Sequence, residues 1–387
     1  MRIAIYIGQL DVGGAEGQVV LLARGLVARG HDVRVITDAG RTAAVPPDLE
    51  PCVVTVPSRP RLARLRNLAR VVKSFDPAVI HCQLTSANLW GSIAGRRAGV
   101  PVVVTSFLST DPWKKWYHSL LDRFVAGLAG GVFVNSAGVA ERYRRVLGSA
   151  GRKIRVIYNG VDTARFDAAR AAASPDDVRR RELNVPAGAP VVINVANLFA
   201  VKNQTMLLGA VAACHRGVPE ALRPYLLLTG EGPMRPALER EAARLGIAPY
   251  VRFSGQVEDV APYLAAADVF ALSSDAEGFS NALLEAMSSS LACVATDVGG
   301  NAEALAEGAG VVVPPGDENA LAAALAELLA DETRRKELGE AARRRAVETF
   351  GLERMVDATA CWYLGKLAYC RGAAGLRRWY REILAAP

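Results

Sequence analysis

The chain has 387 residues, of which 51% are hydrophobic and 22% are charged, an ordinary composition for a globular protein. This length favours two domains over a single core. No apolar run reaches the roughly 18 residues needed to span a bilayer, and the short apolar start at Met1 does not predict a secretory leader, so we expect a cytoplasmic protein. The six cysteines lack the spacing of a zinc or redox motif and are expected to be reduced.

The net charge of +7 is unevenly distributed along the chain. Residues 1–165 carry 23 Lys and Arg against 11 Asp and Glu, which leaves 23 against 28 for residues 166–387. Such an asymmetry predicts an anionic partner for the first part. A basic stretch from Arg59 to Lys73 is typical of a solvated helix face, whereas Trp113–Tyr117 combines lysines with aromatic rings, as membrane-surface contacts do. We expect an anionic membrane surface rather than nucleic acid, because no nucleic-acid recognition motif accompanies the charge.

Two series of short apolar runs, each run followed by a helical pattern, predict two α/β units with parallel sheets. The first series comprises residues 3–7, 33–37, 78–81, 102–105, 131–135 and 155–158, and the second comprises 191–196, 225–229, 251–254, 269–273, 292–296 and 310–313. Residues 168–189 are rich in Ala, Arg, Asp, Ser and Pro and predict a linker outside the core. We therefore place one domain at 1–170 and the next at 186–351.

The segment Glu277–Glu285 is the most informative of the chain, because it holds two carboxylates eight positions apart just after an apolar run. Ser280 or Asn281 can cap a helix there, and the amides at its start would bind an anion. Glu285 would lie about one turn inside that helix and accept from the two hydroxyls of a ribose. Glu277, in the preceding loop, would face the other end of the same ligand. The spacing fits a nucleotide-sugar.

Six motifs in this order resemble those of glycosyltransferase family 4, whose members are retaining enzymes of GT-B architecture. The motifs are Gly13–Glu16, Asn159–Asp162, Lys202–Asn203, Gly230–Pro233, Glu277–Glu285 and Gly299–Glu303, and they cover nearly the whole length of the chain. The resemblance implies two Rossmann-like domains that face each other across a cleft. It also implies that residues 352–387 form helices that cross back to the N-terminal domain.

The resemblance implies a metal-independent hexosyltransferase that needs no cofactor beyond its nucleotide-sugar, a UDP- or GDP-sugar. The acceptor would be a hydroxyl of a glycan or lipid-linked acceptor in cell-surface polysaccharide or glycolipid synthesis, at the inner membrane face. Glu277 and Lys202 would be the catalytic residues: Glu277 would orient the donor sugar, and Lys202 would neutralise the diphosphate. Departing phosphate oxygen can itself take the acceptor's proton, so no protein nucleophile is required.

The resemblance also implies the full set of donor-binding residues, which includes Lys202 and Glu277. They are Gly13, Gly14, Asn197, Lys202, Glu231, Val257, Glu277, Gly278, Phe279, Ser280, Asn281, Ala282, Leu283 and Glu285. In this set the backbone amides of residues 279–283 would contact the diphosphate. No Asp-x-Asp metal motif appears, and no His or Cys cluster has ligand spacing.

The chain departs from the family pattern at two places. Asn197 occupies the position where the family usually has an arginine. Ser106 follows the strand after which many members carry a histidine, so no catalytic histidine is carried over.

Three alternatives remain open. A sugar-nucleotide epimerase shares the fold, and a non-catalytic binding module would fit the missing arginine and histidine. A nicotinamide site would use Asp38 at the end of the second strand, but the first loop lacks the three-glycine spacing of that fold.

Overall fold

A computed structural model of the protein describes residues 1–11, 13–38, 45–57, 60–110, 113–172, 183–216, 218–220 and 223–384, without the side chains of residues 61–62 and 371–384. Arg59 and the middle of the predicted linker, 173–182, lie outside the described residues. The chain divides into two compact units. Unit 1 comprises Met1–Gly160 and the segment from Leu352 onward, and unit 2 comprises Val161–Gly351.

Unit 1 is built on a parallel sheet with seven strands among the described residues, in the order β3-β2-β1-β4-β5-β6-β7. The strands are β1 Arg2–Ile7, β2 Asp32–Asp38, β3 Val53–Val56, β4 Val79–Gln83, β5 Val102–Phe107, β6 Gly131–Val134 and β7 Ile154–Val156. Sequence periodicity missed β3, since a four-residue edge strand that pairs only with β2 is too short to show a pattern. The helices are α1 Gly14–Ala28, α2 Arg61–Phe75, α3 Thr85–Ala98, α4 Trp116–Leu128 and α5 Ala137–Leu147.

Unit 2 repeats the arrangement, with six parallel strands among its described residues in the order β10-β9-β8-β11-β12-β13. The strands are β8 Val191–Val195, β9 Tyr225–Thr229, β10 Val251–Gly255, β11 Val269–Leu272, β12 Ala292–Thr296 and β13 Val311–Val313. The helices are α6 Thr163–Ala172, α7 Gln204–Cys214, α8 Arg235–Arg244, α9 Ala261–Ala265, α10 Asn281–Ser288, α11 Asn301–Ala304, α12 Glu318–Ala330 and α13 Glu332–Phe350. All six predicted strands of the second series are present.

The boundary between the units falls earlier than the predicted position at residue 170. Helix α6 belongs to unit 2 and packs on α9 and α10. Beyond the undescribed residues, Leu183 and Val185 are buried, so this end of the predicted linker is part of the core. Composition suggested a linker because α6 buries little besides Phe166 and exposes its polar residues.

The last helix, α14 Leu352–Leu384, belongs to unit 1 and packs on α1. At their contact a Cβ on Gly25 would lie 2.4 Å from Val356, so only glycine allows this approach. Tyr363 of α14 forms a 2.6 Å hydrogen bond with the ring of His81 in β4. The predicted fold class, with two Rossmann-like units and a C-terminal helix that returns to the first, is confirmed. Among the described helices, none is both long and apolar enough to cross a membrane.

Each sheet has one position where the strand order reverses, between β1 and β4 in unit 1 and between β8 and β11 in unit 2. Connections leave the two strands toward opposite faces at such a position, which opens a crevice beyond their carboxyl ends. The loops after β8 and β11 carry Lys202 and Glu277. The topology therefore brings together two predicted site residues that lie 75 positions apart.

Candidate functional site

Lys202 and Glu277 form an ion pair at the carboxyl edge of the unit 2 sheet. The Lys202 Nζ lies 2.5 Å from the Glu277 Oε1, and the Ser274 Oγ donates to the same oxygen at 2.7 Å. The Glu277 side chain is 9% exposed and that of Lys202 is 23% exposed. A carboxylate this deeply buried requires a cation or several donors. The pair thus places one positive and one negative group side by side at the sheet edge.

The loop that carries Lys202 is tied to the loop that precedes Glu277. The Ser273 Oγ donates to the Lys202 carbonyl at 3.0 Å, and the Asp275 amide donates to the Val201 carbonyl at 2.8 Å. The Asn203 amide group also donates to the Asp275 carboxylate at 2.9 Å. These bonds explain why Lys202, at the end of a short 3-10 turn, has a defined position rather than a surface lysine's freedom.

A third loop supports the backbone of Glu277 and Gly278. The Gly300 amide donates to the Gly278 carbonyl at 2.8 Å. Gly299 has a φ of +59°, and a Cβ there would lie 2.5 Å from the Glu277 carbonyl oxygen. The family-like pair Gly299–Gly300 therefore serves close backbone packing beneath Glu277.

Helix α10 begins directly after this loop. Ser280 is its N-cap, with the Oγ accepting from the Leu283 amide at 3.3 Å. The Phe279 ring is buried and lies 5.2 Å from the Phe350 ring, which anchors the helix start to α13. The expectation that all amides of residues 279–283 face a diphosphate needs one correction, since the Leu283 amide is occupied by the cap.

Glu285 lies one turn inside α10 and is partly buried. Burial raises the pKa of its carboxyl to about 7; Arg165 opposes this shift and Asp259 adds to it. Within the described part of the chain, no group donates a hydrogen bond to this carboxylate. A half-buried acid without a donor has acceptor capacity left for a ligand.

Asn197, Glu231 and Val257 follow three neighbouring strands of unit 2. A Cβ on Gly230 would lie 2.1 Å from the Ala196 carbonyl oxygen, so the loop around Glu231 packs directly on the loop around Asn197. Glu231 is itself ion-paired with Arg235, and Asn197 is exposed. Val257, after β10, is partly buried. The glycines of this loop thus have a packing role, and Glu231 is a rim residue.

Gly13 and Gly14 lie in unit 1, at the start of α1 after β1. Gly13 is the N-cap in an extended conformation, and Glu16 in the first turn is buried. A Cβ on Gly13 would lie 2.3 Å from the Glu16 carboxylate, so a larger residue there would displace that side chain. These residues sit at the strand-order reversal of unit 1, while the other twelve predicted site residues lie in unit 2.

Three polar residues of unit 1, Asp38, His81 and His118, have structural partners. Asp38 is buried and accepts from Arg64 at 2.7 Å and from the Tyr6 hydroxyl at 3.1 Å, so it is committed where a nicotinamide fold would use it. His81 lies between the Tyr363 and Ser106 hydroxyls in the core. The His118 ring accepts from the Lys115 amide and caps α4. Among the described residues, no cluster of His, Cys, Asp and Glu could hold a metal ion.

The predicted basic and aromatic patch at Trp113–Tyr117 is only partly as expected. Lys114 is buried, with its Nζ 3.0 Å from the Asp122 carboxylate and 2.9 Å from the Tyr143 hydroxyl. Its charge is therefore not available at the surface. The aromatic residues are exposed, and they continue along α4. We call the set Trp113, Trp116, Tyr117, Leu120 and Phe124, which are exposed by 49% to 75%, the α4 apolar face.

Sequence reasoning missed three residues that contact or act on Glu277 and Glu285. Ser274 donates to Glu277, and Arg165 and Asp259 act on Glu285. Arg165 follows the motif Asn159–Asp162 by three positions, and this nearness to a family-like motif could have marked it as a candidate. The local sequence, however, does not connect it to Glu285, which is 120 positions away.

Two glycosyltransferase family models match different parts of the chain. The model described as Glycosyltransferase Family 4 matches residues 12–165, and the model described as Glycosyl transferases group 1 matches residues 189–331. Together they cover most of both units but leave out β1, most of α6, α13 and α14.

Two curated relatives and one solved structure are similar to this chain. The lipopolysaccharide core biosynthesis glycosyltransferase LpsE of Rhizobium meliloti is 34% identical over 59% of this chain and 62% of its own length. The alpha-maltose-1-phosphate synthase of Mycolicibacterium smegmatis is 30% identical over 76% of this chain and 80% of its own. The crystal structure of Anabaena HepE in complex with UDP-glucose matches with a TM-score of 0.80 and 25% identity over 94% of this chain and 99% of HepE.

Proposed function

Because the chain belongs to the family 4 glycosyltransferases of the group 1 type, we propose that unit 2 binds a nucleotide-sugar and that the sugar passes to a hydroxyl acceptor with retention of configuration. The acceptor is a glycan or a lipid-linked acceptor in cell-surface polysaccharide or glycolipid synthesis. The transfer needs neither a metal nor a further cofactor.

The observation that carries this proposal is the Glu285 carboxylate, half-buried on α10 without a donor among the described residues. Two vicinal hydroxyls of a ribose would supply the missing donors, and each hydrogen bond to a charged group contributes about 1.5 to 3 kcal/mol. The diphosphate would then reach the first turn of α10, where the helix amides favour an anion.

Lys202 and Glu277 support the same arrangement. The lysine lies at the sheet edge where the strand order reverses, which is where α/β folds bind ligands. Its charge would stabilise the diphosphate as it departs, and this supports transfer without a metal. Glu277 would accept from hydroxyls of the donor sugar once Lys202 turns to the phosphates.

The relatives support the donor and acceptor classes. HepE is crystallised with UDP-glucose, and LpsE is named for lipopolysaccharide core biosynthesis. We propose a UDP-sugar as the first donor to try, with a GDP-sugar next, because no described residue of unit 2 identifies the base.

A contact with an anionic membrane surface is a further part of the proposal. The α4 apolar face turns outward, while α4 packs on α5 and on the turn at Gly148–Lys153, which expose several cations. Exposed cations near the face are Lys115, Arg123, Arg144 and Arg152. Aromatic side chains flanked by cations are typical of interfacial contact with anionic lipid. This would hold the enzyme at the inner membrane face, beside a lipid-linked acceptor.

The test is binding and turnover with a panel of UDP- and GDP-sugars. We expect wild type to bind one nucleotide and to release it on transfer, and Glu285→Ala to raise the nucleotide's dissociation constant more than ten-fold. Glu239→Ala, an exposed carboxylate on α8, is the matched control and should bind as wild type does.

The alternatives give different results in the same assay. An epimerase would return a donor with inverted sugar configuration, and a binding module would bind nucleotide without release or transfer. Unchanged nucleotide affinity in Glu285→Ala would contradict the proposed ribose contact.

A further inference from the structure

An ion pair whose charges act on Glu285 joins the start of α6 to the loop before α9. The Arg165 guanidinium lies 2.5 Å from the Asp259 carboxylate. Asp259 also accepts from the Ala261 amide at 2.9 Å, which fixes its carboxylate at the start of α9. Both α6 and α9 pack on α10, the helix that carries Glu285. One cation and one anion are therefore held next to the proposed ribose acceptor.

Several other charged groups on the elements that pack against α10 have partners elsewhere. On α6, Asp167 pairs with Arg343 of α13, and Arg170 donates to the Ser290 hydroxyl. On α13, Arg345 pairs with Glu307 and donates to the backbone of α11 at Glu303. β11 carries no ionisable side chain, and β12 carries only the buried Cys293. Among the described groups, Arg165 and Asp259 are the ones whose charges act on Glu285.

We propose that Arg165 and Asp259 are positioning residues for donor recognition, which set the charge of Glu285 and thereby the strength with which it holds the ribose. This rests on the proposed function. Neither residue needs to touch the donor. Both act through the field at Glu285, in opposite directions: Arg165 favours the carboxylate, and Asp259 favours the neutral acid.

The chemistry follows from what a ribose requires. An ionised carboxylate accepts from both hydroxyls, while a protonated one must use one oxygen as a donor and forms weaker bonds. Burial has already brought the pKa of Glu285 to about 7, so a modest change in the local field changes its charge at neutral pH. Nucleotide affinity should therefore fall as pH decreases through this range.

The experiment measures the dissociation constant of UDP by calorimetry from about pH 5.5 to 9 at fixed ionic strength, with GDP in place of UDP if UDP does not bind. Arg165→Gln should move the inflection to higher pH, which weakens binding up to about ten-fold near pH 7 and restores it at high pH, since one pKa unit corresponds to a ten-fold change. Asp259→Asn should move the inflection to lower pH. Arg165→Lys should restore most of the wild-type profile.

Two controls separate this role from a merely structural one. Arg170→Gln, on the same helix, should leave the profile unchanged. In a Glu285→Gln background, which has no carboxyl to titrate, Arg165→Gln should have no pH-dependent effect. A structural defect would instead weaken binding equally at every pH, and this would overturn the inference.

The inference can fail separately from the proposed function. If wild type binds neither UDP nor GDP, the proposed function is wrong. If wild type binds UDP and Glu285→Ala weakens it, but Arg165→Gln and Asp259→Asn leave the inflection where it was, only the positioning role is wrong.

Discussion

The ion pair between Lys202 and Glu277 brings a positive and a negative charge together at the carboxyl edge of the unit 2 sheet. The Lys202 side chain is 23% exposed and the Glu277 side chain is 9% exposed, so electrostatic attraction to the carboxylate holds the lysine in place. In the proposed function the same lysine would meet the diphosphate. The ion pair holds the cation in position at a smaller desolvation cost than for an isolated buried charge.

Substitution of Lys202 tests this at the residue scale. Lys202→Met keeps the length of the side chain and removes the charge, so the departing diphosphate loses a charge-assisted hydrogen bond of about 1.5 to 3 kcal/mol, equivalent to a roughly 10- to 150-fold lower kcat/KM. The measurement is the initial rate of transfer from the donor found in the panel. Lys202→Arg should retain much of the activity. A Lys202→Met enzyme within two-fold of wild type would contradict the role.

Helix α4 has a buried side and an exposed apolar side. Its inward side carries Asp122, Val125 and Ala126, all buried, and Asp122 receives the buried Lys114. Its outward side carries Trp116, Leu120 and Phe124, which follow one another at intervals of four and so share one face. Large apolar groups exposed in a row mark an interaction surface.

The α4 apolar face predicts binding to anionic vesicles. In Leu120→Ser/Phe124→Ser, affinity for vesicles that contain phosphatidylglycerol should fall at least ten-fold, because two interfacial side chains are removed. The thermal midpoint should change little, since both residues are half exposed. Sedimentation with vesicles, with and without added salt, measures this.

Val347→Ser provides the matched control, since Val347 is 46% exposed and lies in unit 2. It should bind vesicles as wild type does. If wild type and the double variant bind vesicles equally, or if vesicle affinity depends neither on salt nor on anionic lipid, the α4 apolar face does not bind anionic membranes.

At the scale of the whole molecule, a buried hydrogen-bond network connects α14 to strands β4 and β5 of unit 1. The ring of His81 lies between the Tyr363 hydroxyl at 2.6 Å and the Ser106 hydroxyl at 2.5 Å. The Asn88 side chain exchanges two hydrogen bonds with the backbone of Ser106. Burial lowers the pKa of His81 to about 3, so this residue is neutral in the folded protein.

This network predicts acid sensitivity of unit 1. The pKa of His81 is lower in the folded state than its value of about 6.5 when unfolded, so protonation favours unfolding. The stability is complete above about pH 6.5 and is lost as pH falls toward 3, by up to about 1.4 kcal/mol per pH unit for this one proton. His81→Gln should be less stable near pH 7 but show a shallower loss between about pH 6.5 and 4.

Tryptophan fluorescence during urea unfolding measures this in unit 1 alone. All five tryptophans lie outside Val161–Gly351, so unit 2 does not contribute to the signal. Parallel slopes for wild type and His81→Gln over this pH range would show that His81 does not titrate on unfolding.

Much of the architecture was predictable from local pattern. Runs such as Val269–Leu272 are apolar on both faces, which is typical of a central parallel strand, and their order along the chain predicted two α/β units. The positions of Glu277 in the loop before α10 and of Glu285 inside it were also predictable, since a short segment after a strand fixes their relation to one helix. The four-residue strand β3 was missed because an edge strand shows too little pattern.

The sequence by itself therefore determined the two sheets apart from β3, the capped helix α10, and the placement of Glu277 before it and Glu285 within it, because these depend on neighbours within a few positions. Only the tertiary structure decided that Lys114 is buried while the α4 apolar face is exposed, and that the cap occupies the Leu283 amide. It also decided that Arg165 meets Asp259, 94 positions away, beside Glu285. Burial and charge pairing depend on what packs opposite a residue, and the local pattern does not contain that information.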